Sequence, residues 1–148
     1  MINNFQLSQS FSCHFDVNQD VYDLFLKLSN DCNHMHVSDD YAQQYGFESK
    51  IMHGNILNAF ISYFVGECLP IKNVIIQSQS IDFKKPIYMN TKIQLLATVD
   101  SIVESVNVVI FKFNFQNNQN VVIGKGKIGH SSIISSLYIF SPANTPQP

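Results

Sequence analysis

Apolar and polar positions alternate near the start of the chain and then change period. Phe11, Cys13 and Phe15 point one way along an alternating stretch, which predicts a short β-strand. Asp16 precedes an apolar recurrence at three- and four-residue spacing, which indicates an amphipathic helix. We therefore expect a first helix that begins after Asp16, as its N-cap, and runs to about Ser29.

Two further helices are predicted before residue 70. A short one follows the polar loop of residues 30–37, because Ser38 suits an N-cap and Gly46 suits a helix end. Residues 54–68 are apolar around most of the helical circumference, and Pro70 stops them. Such a helix must be buried. It is too short to span a membrane, which takes about 20 mostly apolar residues.

The apolar helix carries one polar stripe. Asn55, Asn58 and Ser62 fall within about 60° of one another at 100° per residue. Burying polar groups without partners is costly, so this stripe should face something polar. Ser62 could equally bond the carbonyl one turn back in its own helix.

The second half of the chain is predicted to form strands. Phe111, Phe113 and Phe115 share one face of an alternating run, which is typical of an antiparallel sheet with one buried side. The strands are expected at residues 74–83, 92–103, 106–115 and 121–131. Three glycines in the last strand predict close backbone approach or strong curvature.

Composition narrows the fold class, the number of domains and the expected partners. A chain of 148 residues with 45% hydrophobic residues can enclose one core, and 12 Phe without Trp favour a sheet-rich α+β domain. We expect one domain over residues 1–140 and a mobile tail over residues 141–148. A net charge of -2 with nine scattered Lys residues excludes nucleic acid and anionic membrane as expected partners.

The N-terminus and the cysteines predict a cytoplasmic protein. The first residues lack the basic segment and apolar run of a signal peptide. Cys13, Cys32 and Cys68 are odd in number and widely spaced, which favours reduced thiols over a disulfide framework. We expect no disulfide, and we expect Cys32 to be a buried, inert thiol.

Candidate chemistry concentrates in residues 29–54. Asp31 and His36 are five residues apart, a spacing that a loop with the turn former Asn33 must bring together. A carboxylate beside an imidazole can hold one water and move its proton. His53-Gly54 supplies a backbone N–H at a helix start, which favours developing negative charge.

The same residues carry a family resemblance. Ser-Asn-Asp-Cys-Asn-His-Met-His (29–36), Ile-Met-His-Gly-Asn-Ile-Leu (51–57) and Ile-Asp-Phe-Lys-Lys-Pro-Ile (81–87) resemble the landmarks of MaoC-like, (R)-specific enoyl-CoA hydratases. The resemblance covers residues 17–130. It implies a hot-dog fold, in which an antiparallel sheet wraps around one long central helix, paired as a homodimer.

The resemblance also implies an activity and its residues. The expected reaction is the reversible hydration of trans-2-enoyl thioesters to (R)-3-hydroxyacyl thioesters, carried on coenzyme A or acyl carrier protein. Asp31 and His36 match the catalytic dyad, Gly54 matches the amide that binds the thioester oxygen, and Ser62 matches a residue lining the site. His53 and Asn33 are further substrate-binding candidates. Because the dyad and one water suffice for this reaction, neither a metal nor a redox cofactor is expected.

Some positions depart from the family pattern. His34 stands where the family usually has Pro, Ser38 where it has Asp, and Asn90-Thr91 where it often has Gly-Asp. These differences leave the dyad intact, but they leave open the loop shape and the preference for acyl chain or carrier.

Other interpretations of these residues remain. Cys32, His34, His36 and His53 could bind zinc, although their spacing matches no common zinc motif. Cys32 could act as a nucleophile with His36 as its base. We interpret His14, His34 and His130 as structural.

Two other functions stay open on the same fold. A hot-dog thioesterase would hydrolyse the thioester, but it normally places its acid on the long helix, which here offers only Glu67 near its far end. A non-catalytic subunit would only bind acyl chains or a partner, and the intact dyad argues against it.

Overall fold

A five-stranded antiparallel sheet frames the molecule, and the computed structural model describes residues 2–132. The strands are β1 (Ser10–Val17), β2 (Val74–Phe83), β3 (Thr91–Val103), β4 (Val108–Asn117) and β5 (Val122–Ser132). Their order across the sheet is β1-β3-β4-β5-β2, so β1 and β2 form its edges. The strands expected from the alternating pattern are confirmed, with small shifts at their ends.

Within residues 2–132, four helices accompany the sheet. They are α1 (Gln19–Ser29), α2 (His34–Val37), α3 (Asp39–Gln44) and α4 (Ile56–Tyr63), which a π-helical turn continues over Phe64–Cys68. Short 3-10 turns cover Ile2–Asn4 and Glu104–Val106. Ser38 caps α3 as predicted, and Gly46 follows that helix with a φ of +84°.

The long helix lies against the inner face of the sheet. Leu57 and Ile61 of α4 have no exposed surface, and Phe111 and Phe115 of β4 lie in the same buried cluster. A Cβ built on Gly124 of β5 would lie 2.9 Å from Leu57, so the missing side chain lets the helix approach the strand closely. The predicted α+β architecture, a sheet around one buried helix, is confirmed.

The start of α1 differs from the prediction. Asn18, and not Asp16, is the N-cap, because its side chain accepts a hydrogen bond from the Val21 N–H at 3.0 Å. Asp16 instead belongs to β1 and pairs with Lys92 of β3. The prediction placed the cap too early because the pairing that extends β1 depends on a strand far away in the sequence.

The cysteine predictions are wrong. Cys13 and Cys68 form a disulfide across 55 residues, and Cys32 is an exposed free thiol. Cys13 faces inward from β1 toward the turn that ends the long helix, a proximity that the sequence spacing does not show.

Two further predictions concern the membrane and the C-terminus. Between residues 2 and 132 the helices are all too short or too polar to cross a membrane. The predicted tail of residues 141–148 and the last residues of the predicted domain lie outside the described residues.

Candidate active site

A short helix brings Asp31 and His36 to the same place. Asn33 caps α2 by accepting the Met35 N–H at 3.0 Å, and its own N–H donates to Asp31 Oδ1 at 3.1 Å. The chain therefore turns sharply at Asn33. This turn explains how two residues that share no face of a regular helix become neighbours.

The His36 ring is held in one orientation. Its Nδ1 lies 2.8 Å from the Ile51 carbonyl oxygen, which only accepts hydrogen bonds, so in the neutral ring Nδ1 carries the proton. The Nε2 lone pair is then free, 3.9 Å from Asp31 Oδ2. A water about 2.8 Å from each atom fits between them and donates one hydrogen bond to each. His36 is 17% exposed and Asp31 50%, so solvent reaches this position.

The backbone of the same loop is tied to its surroundings. The Tyr22 hydroxyl of α1 donates to the His36 carbonyl at 2.7 Å. Burial raises the pKa of Tyr22, and electrostatic interactions with Asp23, Cys32 and Asp39 raise it further. This hydroxyl therefore keeps its proton. The Ile51 N–H donates to the Met35 carbonyl at 2.9 Å, which joins the loop to the segment before α4.

His53 lies beneath the pair and is almost fully buried. Its Nε2 donates to the Asp31 carbonyl at 2.8 Å, and its ring stacks on His36 with centroids 4.0 Å apart. Phe25 contacts its ring with centroids 5.3 Å apart. His53 therefore fixes the main chain of Asp31 and supports the ring of His36.

Gly54 borders a cleft of about 300 Å³ that His36 also lines. No acceptor in the described part of the chain takes the Gly54 N–H, which lies just before α4 where the helix dipole is positive. A Cβ at this position would lie 3.2 Å from the Phe83 ring. The remaining lining is mostly apolar: Phe47, Ile51, Met52, Phe83, Pro86 and Ile87, with Lys84 and Lys85.

The polar stripe of α4 lies away from this cleft. Ser62 and Asn55 are exposed. Asn58 donates to the Asn55 side chain at 2.9 Å and accepts a hydrogen bond from Gln79 of β2. In the single chain the stripe therefore faces solvent and the edge strand, and Ser62 does not line the cleft.

The residues on which the metal and thioesterase interpretations depend lie in different parts of the structure. Asp31, His36 and His53 offer ligand atoms that all lie within 4.8 Å of one another, but His53 Nε2 would have to leave the Asp31 carbonyl to bind an ion. Cys32 is exposed and His34 packs edge-on against Tyr41, so neither joins this group. Glu67 is exposed and pairs with Lys72 at 3.2 Å.

Three contributors to the site were absent from the sequence interpretation. The Ile51 carbonyl selects the His36 tautomer, the Tyr22 hydroxyl anchors the loop, and Phe83 covers Gly54. Ile51 and Phe83 lie within the motifs already singled out, whereas Tyr22 has no sequence signal because its role depends on how α1 packs.

Comparison with known proteins agrees with this geometry. A family model described as MaoC like domain matches residues 5–116. The solved (R)-hydratase of A. caviae, described as involved in PHA biosynthesis, superposes with a TM-score of 0.80 at 22% identity, covering 86% of this chain and 97% of that one. This match confirms the predicted hot-dog fold.

Two characterised relatives resemble the chain in sequence. An (R)-specific enoyl-CoA hydratase of Rhodospirillum rubrum is 38% identical over 93 residues, 63% of this chain and 64% of that protein. A mitochondrial 3-hydroxyacyl-[acyl-carrier-protein] dehydratase of Arabidopsis thaliana is 26% identical over 106 residues, 70% of this chain and 63% of that protein. The matched stretch thus spans a little under two thirds of each relative.

Proposed function

The chain belongs to the family of MaoC-like domains, and on that premise we propose that it reversibly adds water to trans-2-enoyl thioesters, giving (R)-3-hydroxyacyl thioesters. The observation that carries the proposal is the pair of acceptor atoms, His36 Nε2 and Asp31 Oδ2, which lie 3.9 Å apart. His36 and Gly54 line the same cleft, and the Gly54 N–H has no acceptor within residues 2–132. Hydration needs one activated water and one donor for the thioester oxygen, and this arrangement offers both.

The proposed reaction uses a single water. The water donates to Asp31 Oδ2 and His36 Nε2, loses a proton to this pair, and its oxygen forms a bond to C3 of the substrate. The electron pair of the C2–C3 double bond moves toward the thioester oxygen, where the Gly54 N–H stabilises the enolate. The pair then returns the proton to C2, which restores the carbonyl and completes the addition of H and OH.

The remaining site residues have supporting roles in this proposal. Asp31 is the general base, and His36 orients the water and shares the proton. Asn33 shapes the loop, and His53 holds Asp31 from below. Ser62 would contact substrate only where a partner subunit completes the tunnel, since it is exposed in the single chain.

An assay with two readouts tests the reaction type. With crotonyl-CoA, hydration lowers absorbance at the enoyl band without releasing free thiol, whereas a thioesterase releases thiol. We expect the first result. Thiol release would favour the thioesterase interpretation, and no change in either signal with crotonyl to dodecenoyl thioesters on both carriers would favour a non-catalytic subunit.

Gly54→Val tests the thioester donor. The larger side chain would press on Phe83 and displace the substrate oxygen, and losing such a donor costs roughly 3 to 4 kcal/mol, a rate effect of about 10²- to 10³-fold. Gly66→Val is the matched control, because a Cβ there has no atom of the described residues within 4 Å. Full activity of Gly54→Val would contradict the assignment.

We propose that catalysis uses no metal. Incubation with a chelator should leave turnover unchanged, because two of the three clustered residues, Asp31 and His36, hold the proposed water, and the third, His53, donates to the Asp31 carbonyl. Inactivation that added zinc reverses would instead assign Asp31, His36 and His53 to an ion.

We further propose a homodimer. Leu24 and Leu28 of α1 are 68% and 81% exposed beside an apolar groove of about 230 Å³ against α4, and β2 is an edge strand of the sheet that residues 2–132 form. Pairing would cover these surfaces. Light scattering should give about twice the 16.8 kDa chain mass, and a fully active monomer would contradict the proposal.

A further inference from the structure

Two buried side chains hold the main-chain carbonyls of the proposed catalytic pair from behind. His53 Nε2 donates to the Asp31 carbonyl, and the Tyr22 hydroxyl donates to the His36 carbonyl at 2.7 Å. The rings of Tyr22 and His53 lie side by side, with centroids 6.3 Å apart. Asp31 and His36 therefore rest on one layer of two packed rings, although one ring comes from α1 and the other from the segment before α4.

Helix α2 cannot hold His36 in place by itself. It has four residues, and a helix this short makes few hydrogen bonds of its own. The His34 carbonyl accepts the Ser38 N–H at 3.0 Å, and the Met35 carbonyl accepts the Ile51 N–H at 2.9 Å. The His36 carbonyl accepts a side-chain hydroxyl instead, so a single substitution can remove its donor.

Two contacts together orient the His36 side chain. Its Nδ1 bonds the Ile51 carbonyl, and this contact alone would let the ring pivot about the line between the two atoms. The Tyr22 hydroxyl fixes the main chain from which the ring projects. With both contacts made, Nε2 keeps its position 3.9 Å from Asp31 Oδ2.

Tyr22 is itself held on several sides. It is 5% exposed and is the one buried residue of α1. The Lys50 ammonium lies over its ring, with Nζ 4.7 Å from the centroid, which is within cation–π distance. The Lys50 N–H donates to Asp39 Oδ1 at 2.9 Å, which fixes the main chain that carries this lysine. The ring therefore has a defined place, and its hydroxyl defines where the His36 carbonyl lies.

We infer that Tyr22 is a positioning residue for the proposed hydration, acting through the His36 main chain to keep Nε2 directed at the reacting water. The kinetic part of this inference rests on the proposed function. Tyr22 lines no part of the cleft, so part of the turnover rate depends on a hydroxyl that touches neither substrate nor water.

Tyr22→Phe removes the hydroxyl and keeps the ring. We expect kcat for crotonyl-CoA to fall about tenfold with KM nearly constant, because substrate still binds while the water is held less well. Tyr41→Phe is the matched control, since the Tyr41 hydroxyl bonds that of Tyr45 at 3.5 Å and Tyr41 lines no part of the cleft. It should keep the wild-type kcat.

A double variant separates positioning from a general loss of structure. In a His36→Ala background, Tyr22→Phe should lower kcat by less than about twofold, because the side chain that the hydroxyl positions is already absent. A tenfold loss that persists in this background would overturn the inference, since the hydroxyl would then act on the fold and not through His36.

Nitrogen-15 NMR of the imidazole rings tests the inference without turnover. In wild-type protein in mildly alkaline buffer, His36 should carry its proton on Nδ1 and a lone pair on Nε2, as the bond to the Ile51 carbonyl requires. In Tyr22→Phe the shifts of these two nitrogens should move toward each other, because a less constrained ring exchanges between tautomers. Tyr41→Phe should leave both signals unchanged.

The outcomes are distinct. Wild-type His36 with its proton on Nε2 would overturn the inference, and this measurement requires the wild-type protein only. Unchanged His36 signals or an unchanged kcat in Tyr22→Phe would also overturn it, as would a loss through KM, which would assign Tyr22 to substrate binding. If wild-type protein hydrates no thioester, the proposed function fails, and the His36 signals still decide whether the hydroxyl positions the ring.

Discussion

Two buried histidines, His53 and His130, lie in contrasting surroundings. His53 is 3% exposed and His130 is fully buried, and both contact phenylalanine rings. His53 donates to the Asp31 carbonyl, whereas neither nitrogen of His130 has a hydrogen-bond partner in the described structure. The same side chain therefore serves one region as a polar support and the other as part of an aromatic core.

The difference follows from what each backbone offers. The loop after α1 turns the Asp31 carbonyl toward His53, while β5 places His130 between Phe5 and Phe111, with centroids 5.4 and 5.3 Å away. Burial in this apolar cage lowers the pKa of His130 to about 4, because a charged ring would lose its water and gain no partner. Burial alone thus does not indicate a functional histidine.

The largest expected effect is a loss of activity on replacing His36, the histidine that lines the cleft, or its partner Asp31. Asp31→Asn and His36→Ala should each lower kcat/KM for crotonyl-CoA by about 10²- to 10⁴-fold, because each removes an acid-base group. The double variant should be little worse than the poorer single one, since both residues handle one water. Thermal unfolding should change little.

His34→Ala is the control for this experiment. His34 packs on Tyr41 with centroids 5.1 Å apart and does not line the cleft, so activity should be retained. Losses that multiply in the double variant would count against a shared water.

The next effect is on stability in acid. Because the folded pKa of His130 lies below its usual 6.5, the unfolded chain binds more protons between the two values. The free energy of unfolding therefore decreases as the pH falls from about 6.5 to about 4. The decrease is up to roughly 3 kcal/mol, at 1.36 kcal/mol per pKa unit. His130→Leu should remove this loss, and urea unfolding at pH 7 and pH 4.5 measures it.

His14→Leu is the matched control, since His14 lies exposed on β1. It should leave the pH dependence of unfolding as in the wild type. Equal pH dependence in wild type and His130→Leu would show that His130 is solvated or paired.

The smallest effect is expected for the supporting histidine. His53→Phe keeps a ring against His36 and Phe25 but loses the donor to the Asp31 carbonyl, so kcat should fall about tenfold with KM nearly constant. His53→Gln, which can place an amide donor near the same point, should restore part of kcat. The pH-rate profile should keep its shape in both.

A changed profile in His53→Phe would indicate that His53 itself exchanges protons with substrate. Equal activity of the Phe and Gln variants would assign His53 to packing alone.

The local pattern of residues along the sequence determined many of the secondary-structure elements of this protein. The alternating phenylalanines of β4, the apolar length of the central helix and the cap at Ser38 follow from periods of two and 3.6 residues and from local hydrogen bonding, so the sequence predicts them. The resemblance of the loop motifs likewise selected Asp31, His36 and Gly54 as candidates before any geometry was known.

Tertiary structure decided what depends on residues far apart in the sequence. Pairing with β3 extended β1 past Asp16, and Cys13 met Cys68 across 55 residues. The tautomer of His36 depends on the Ile51 carbonyl, and the surroundings of His130 depend on Phe5 from the other end of the chain. Such contacts arise only when separate elements pack together, because a local pattern determines which face of an element is buried but not which group it meets there.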